Sequence, residues 1–335
     1  MQRKQTITPL FSVLILFGAL WVSGAMASAE EGKSGEWEVI MCNPLLHQLE
    51  MQSTWAAAKA VGVKGLEISV DFNLNCNNLF VGGETPYRLD TPENAKKILK
   101  DAESQGLITP VICAPIRLDL SEGNPSAPEW AKTLIENAPL IGAKLIYFPI
   151  GISKTDTPKF TDQLLSQRAV SLLKGLVDCG KKHGVAITIE NLNVYWNRPE
   201  ITRPVLAAFQ PDELNLCLDP INLYWYGYPR AKVYDIVREY IPRAKHFHVK
   251  NVAHPPEQRE AVRTPGWQYG EHSVPVADGD LDFKSMLAQL YKSGYKGCVS
   301  IEDDSLGHLP KEQRLKVLQQ DVLYLREIIK NLRGS

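Results

Sequence analysis

Short apolar runs alternate along the chain with longer stretches in which apolar residues recur every three or four positions. The apolar runs read as strands: Glu38–Cys42, Gly65–Ser69, Ile108–Cys113, Lys144–Phe148, Val185–Glu190, Leu214–Leu218, Ala244–Val249 and Gly297–Ile301. The periodic stretches read as helices: Met51–Val61, Pro92–Gln105, Pro128–Ile141, Asp162–His183, Glu200–Phe209, Ala231–Tyr240, Phe283–Lys292 and Lys311–Leu332. Thr91 and Pro92 pair a cap with a first-turn proline, and Asp282 is placed to cap the seventh helix. No Ser- or Gly-rich linker divides the chain. Eight strand-then-helix units predict an α/β fold, a single-domain (β/α)8 TIM barrel over residues 36–333. The alternative, a doubly wound open sheet, usually carries a glycine-rich phosphate loop after its first strand. Here that strand runs into Asn43, Pro44, Leu45, Leu46 and His47.

The segment ahead of the first strand has a different character. Arg3 and Lys4 precede an apolar run from Phe11 to Val22, and Ala27, Ser28 and Ala29 supply small residues at a cleavage site. This predicts a signal peptide over residues 1–29, cleaved after Ala29, and a secreted or periplasmic protein without stable membrane insertion. An uncleaved anchor from Leu10 to Ala29 is the alternative. Cleavage would remove two basic residues and no acid, taking the formal net charge from −1 to −3. With 37 basic against 38 acidic residues there is no basic footprint for nucleic acid. The 44% hydrophobic and 22% charged content is that of an ordinary globular chain, which excludes disorder and coiled coil. Six scattered cysteines show no zinc spacing; buried free thiols are expected, with one disulfide open in an oxidising compartment.

A barrel places catalytic groups at the C-terminal ends of its strands. Four consecutive strands end in Glu190, Asp219, His248 and Glu302. One acid at a strand end is ordinarily a helix cap or a loop ion pair. Three carboxylates brought together need a cation, because like charges a few ångströms apart do not all ionise unaided. Oxygen-rich ligands with one imidazole suit a single divalent ion, Mn, Mg or Co ahead of Zn.

The stretches TIEN, CLDP, HFHVKN and SIEDD, with the GLE strand and the DGDLDF turn, resemble the xylose isomerase-like TIM barrels of the sugar phosphate isomerase/epimerase superfamily. The resemblance covers the whole mature chain. It implies that Glu190, Asp219, His248 and Glu302 are metal ligands, with Glu190 and Glu302 also the acid/base pair. The chemistry is arguable independently. A metal chelated by a carbonyl and an adjacent hydroxyl acidifies the intervening C–H by stabilising an enediolate. Strands 5 and 8 are three steps apart around the ring, so their glutamates reach a substrate from different sides. Return of the proton to the opposite face is epimerisation; return to the neighbouring carbon is isomerisation.

Several departures narrow this. Asn222 stands where many members carry a histidine, and asparagine cannot shuttle a proton. Trp196 and His254 stand where ketose 3-epimerases carry an acid and an arginine. The predicted substrate-facing residues are therefore Glu67, Trp196, Asn222, His246, Lys250 and His254, with Glu67 also placed to support the ligands. Aromatic residues cluster in the same loops, among them Tyr195, Tyr224, Trp225, Trp267 and Tyr269, and aromatic faces suit sugar C–H faces. The long segment from Asn251 to Asp280 reads as a lid or substrate wall, with Arg259, Arg263 and His272 either holding an anion or simply solvated.

The expected protein is an exported, metal-dependent sugar isomerase or epimerase whose partner is a small carbohydrate, with homo-oligomerisation open. A lyase or hydrolase of 3-keto glycosides uses the same groups and is the alternative reaction. A multi-metal phosphodiesterase would want a basic groove. A non-catalytic sugar-binding barrel would need no opposed glutamates.

Overall fold

The computed structural model of the chain describes residues 37–120, 125–152 and 160–334. The expected signal peptide, 1–29, lies outside the described residues. Eight parallel strands close into a barrel: β1 (Val39–Cys42), β2 (Gly65–Ser69), β3 (Ile108–Cys113), β4 (Leu145–Phe148), β5 (Ala186–Glu190), β6 (Leu214–Leu218), β7 (Ala244–Val249) and β8 (Val299–Ile301). Each pairs with the next in sequence, and β8 closes onto β1 with Ser300 opposite Ile40.

The outer helices are α1 (Thr54–Val61), α2 (Pro92–Ser104), α3 (Glu129–Asn137), α4 (Asp162–His183), α5 (Pro199–Ala207), α6 (Arg230–Tyr240), α7 (Phe283–Lys292) and α8 (Lys311–Gly334). α1 starts later than its periodicity suggests, because Ser53 caps it by accepting from the Ala56 amide. The third predicted helix breaks in two. Pro139 lacks the amide needed to continue α3, and Ala138–Ile141 tightens into a 3-10 turn. Short elements after the strands escape hydrophobic periodicity altogether. They are helical turns at Asn43–His47, Asn193–Trp196, Pro220–Tyr226 and Tyr269–His272, a parallel pair of Ile116–Leu118 with Ile150–Ile152, and an antiparallel pair of Asn251–Val252 with Ser273–Val274.

Strand alternation sorts the side chains. On β7, Phe247 and Val249 join the large apolar core between strands and helices, which leaves His246 and His248 pointing to the barrel axis. Among the described residues, a small apolar cluster occupies the interior, formed by Ile40, Val111, Leu145, Tyr147 and Cys217. Glu67, Thr188, Asn215, His246, His248 and Ser300 are buried polar residues of the same strands. All six cysteines are free, so the disulfide left open by the sequence does not form. Among the described residues, no helix is long and apolar enough to cross a membrane.

Candidate metal centre and active site

Glu190 ends β5, Asp219 follows β6, His248 lies one residue before the end of β7, and Glu302 follows β8. Each presents a ligand atom, and the four atoms lie within 4.8 Å of one another. Nδ1 of His248 is 3.2 Å from Glu302, 3.6 Å from Glu190 and 3.9 Å from Asp219. None of these approaches has hydrogen-bond alignment, so His248 Nδ1 is buried without a hydrogen-bond partner, and the buried Asp219 Oδ2 has the Lys250 ammonium close by. An imidazole nitrogen facing three carboxylates is tolerable only if it carries a proton or meets a cation. The residues therefore fit a divalent ion held by three carboxylates and one imidazole.

Asp219 has two tasks. Its Oδ1 accepts from the amides of Ile221 and Asn222, at 2.8 and 3.1 Å, and caps the turn that begins at Pro220. That leaves Oδ2 aimed into the site. Asn191 fixes the aspartate's backbone, accepting from its amide and donating to its carbonyl at 2.8 and 2.7 Å. A helix cap and an oxygen offered to the site are here the two ends of one carboxylate. Lys250, with the same strand parity as His248, places Nζ 2.7 Å from Glu302 and 2.9 Å from Asp219.

Behind His248 lies a second polar group. Nε2 of His248 and of His246 donate to Oε2 of Glu67 at 3.1 and 2.7 Å. Tyr147 and Cys42 donate to its other oxygen. Glu67 thus holds the Nε2–H tautomer of His248 and leaves Nδ1 for the site. His246 is buried beside Glu67, below the carboxylate group rather than at the mouth.

Burial works to raise the pKa of Glu67, but His248 and His246 carry it well below the usual carboxylate range. Burial also opposes charge on His248, yet the acidic groups around it, Cys217 and Glu67 foremost, raise its pKa well above the ordinary value. The two glutamates diverge. Burial pushes Glu190 up. In Glu302 the same burial is outweighed by Lys250 and His248, and its pKa falls. Unequal environments for two carboxyls are what an acid/base pair requires.

The remaining predicted residues separate by place. Asn222 donates to Glu190 Oε1 at 3.0 Å and, with Lys250, Trp225, Tyr269 and Asp304, borders a mouth cavity of about 260 Å³. Trp196 is fully buried, its indole N–H donating to the Ile150 carbonyl at 2.6 Å, because the helical turn after β5 carries it away from the axis. His254 packs among Tyr224, Trp267 and His272 in the long β7–α7 connection. Burial draws its pKa down to about 4. The solvated fate expected for Arg259 and Arg263 is corrected by the structure. Arg263 donates to the Tyr224 and Tyr228 carbonyls and lies 4.3 Å over the Tyr224 ring, while Arg259 pairs with Asp280 at 2.8 Å. Both guanidiniums hold the long segment down. Gly227, at φ 106°, lets it come close, since a Cβ there would sit 2.0 Å from the Arg263 carbonyl oxygen. Sequence reasoning missed Tyr147, Cys42 and Asp304. Asp304 accepts from the Tyr269 hydroxyl at 2.6 Å across the mouth, and strand parity would have flagged the other two.

The xylose isomerase-like TIM barrel family model matches residues 55–328. An inosose dehydratase of Salmonella typhimurium is 26% identical over 188 residues, 53% of this chain and 58% of that protein. The chain thus spans little more than half the length of this relative. Among solved structures, an L-ribulose 3-epimerase superposes with a TM-score of 0.59 at 13% identity, covering 89% of this chain and 96% of the other. The IOLI protein, solved with a zinc atom, gives a TM-score of 0.59 at 13% identity over 88% and 98%. The strand-end residues, the closed eight-stranded sheet and the family match agree, and the chain belongs to the xylose isomerase-like TIM barrel family.

Proposed function

We propose that this barrel is an exported, divalent-metal-dependent isomerase or epimerase that moves a proton beside the carbonyl of a sugar. The supporting observation is the gathering of Glu190, Asp219, His248 and Glu302, whose ligand atoms lie within 4.8 Å of one another, with His248 Nδ1 buried and without a hydrogen-bond partner. A divalent ion held by Glu190, Asp219, His248 and Glu302 would polarise the substrate carbonyl. Glu302, kept ionised by Lys250, takes the proton from the adjacent carbon. Glu190, on a strand three steps around the ring from β8, returns one from another side. Asn222 steadies Glu190 without competing for the proton. Glu67 keeps His248 in one tautomer throughout.

The likeness to an inosose dehydratase favours a second reading, elimination. The same removal of a proton beside a ketone, followed by departure of a neighbouring oxygen, would cleave a 3-keto glycoside. One experiment separates the two. The metal-loaded protein is incubated with sugars and keto glycosides in D₂O. Deuterium gained at carbon with the skeleton intact supports isomerase or epimerase chemistry. A released alcohol and an ultraviolet-absorbing unsaturated ketone support the lyase. Neither product, with a metal bound, would sink both readings.

A further inference from the structure

The candidate metal-binding groups come from β5 to β8. Among the described residues, Phe72, Pro115, Arg117, Trp130 and Gly151, which follow β2, β3 and β4 in the chain, border a cleft of about 690 Å³. Its wall is the parallel pair that carries β3 and β4 onward, with Arg117 opposite Gly151 in register. Ile116, Leu118 and Ile150 are buried in the outer core, so alternation turns Arg117 and Gly151 to the other face, the parity of the barrel interior. At Gly151 a Cβ would lie 4.0 Å from Cγ of Arg117, so the missing side chain leaves space over the arginine stem.

Two features of the cleft suit a ligand. Phe72 is 66% exposed at a loop tip. Arg117 is exposed and has neither an ion-pair nor a hydrogen-bond partner among the described residues. An aromatic face beside a planar array of N–H donors is the pairing that a sugar ring satisfies, through its C–H face and its neighbouring hydroxyls. The cleft wall also reaches the mouth. The Ile150 carbonyl accepts from Asn193, which lines the mouth cavity of about 260 Å³. That cavity is small, since ligand sites usually begin at about 300 Å³.

We propose that the cleft is a second sugar subsite. The substrate is then a glycoside or disaccharide whose non-reacting ring binds against Phe72, Trp130 and Arg117. The proposal rests on the sugar-directed reading of the metal centre and fixes the substrate class within it.

The test is calorimetric titration of the metal-loaded full chain with glucose, cellobiose, maltose and lactose, repeated on Phe72→Ala and Arg117→Ala. Both side chains are exposed, so neither change should disturb folding. The expected result is a disaccharide bound about tenfold tighter than glucose, with that advantage lost in either variant and glucose affinity unchanged. A disaccharide held no tighter than glucose, or an advantage that survives both substitutions, overturns the subsite. Failure of the proposed chemistry looks different. An intact, Phe72-dependent disaccharide advantage in a protein that exchanges no sugar C–H in D₂O would sink the reaction and leave the subsite standing.

Discussion

Strands β5 to β8 carry Glu190, Asp219, His248 and Glu302 at or beside their C-terminal ends, whereas β1 to β4 end in Cys42, Ser69, Cys113 and Phe148. One half of the ring ends in charged side chains; the other ends in uncharged ones and opens onto a cleft. Burying charges is costly unless they share a counter-ion, so ligands gathered on adjacent strands share one desolvated space. The neutral half is released from that constraint and can be shaped for substrate. Glu67 crosses the divide, reaching from β2 to both histidines of β7.

The comparison can be broken most severely on the charged side. Asp219→Asn should abolish tight metal binding and lower C–H exchange by about a thousandfold, checked by metal content per chain and NMR exchange rates. Glu190→Gln should slow exchange by about a hundredfold or more while keeping the fold, judged by an unchanged circular dichroism spectrum. Exchange at the normal rate in that variant would exclude Glu190 as an acid. For the group that bridges the halves, Glu67→Gln should weaken metal affinity by about ten- to a hundredfold. Tyr147→Phe, which removes one donor to Glu67, should cost only about 1 kcal/mol of stability in urea.

The smallest effect concerns the wall of the long β7–α7 segment. The pKa of His254 is about 4 in the fold against 6.5 for a free histidine. Between those values the unfolded chain takes up a proton that the native state refuses, so stability falls as pH drops from 6.5 toward 4 and is fully present above 6.5. Thermal melts of His254→Phe should show a shallower decline over that window than the parent protein. Equal slopes would exclude the histidine as a source of acid sensitivity.

The barrel and the carboxylate–imidazole group were legible because both depend on strand period, which residue order reports directly. Lys250 and Asn222 were legible for the same reason, each a fixed offset from a strand end. Trp196 and His254 were placed by offset too, but a helical turn and a long connection intervene, and both side chains leave the axis. Tyr147 and Cys42 escaped notice because they look like ordinary strand residues until Glu67 is seen between them. Arg259 and Arg263 looked like surface charge because their partners are backbone carbonyls and one distant aspartate.

Asp219 gives one oxygen to the amides that open a helix and turns the other toward the cavity. An amide in its place would keep the first contact and forfeit the negative charge of the second. If the proposed cation is bound there, such a barrel is a single substitution away from losing it without losing its architecture. Divergence from catalyst to sugar receptor would run through that position at little structural risk, whereas alanine there would remove cap and charge together.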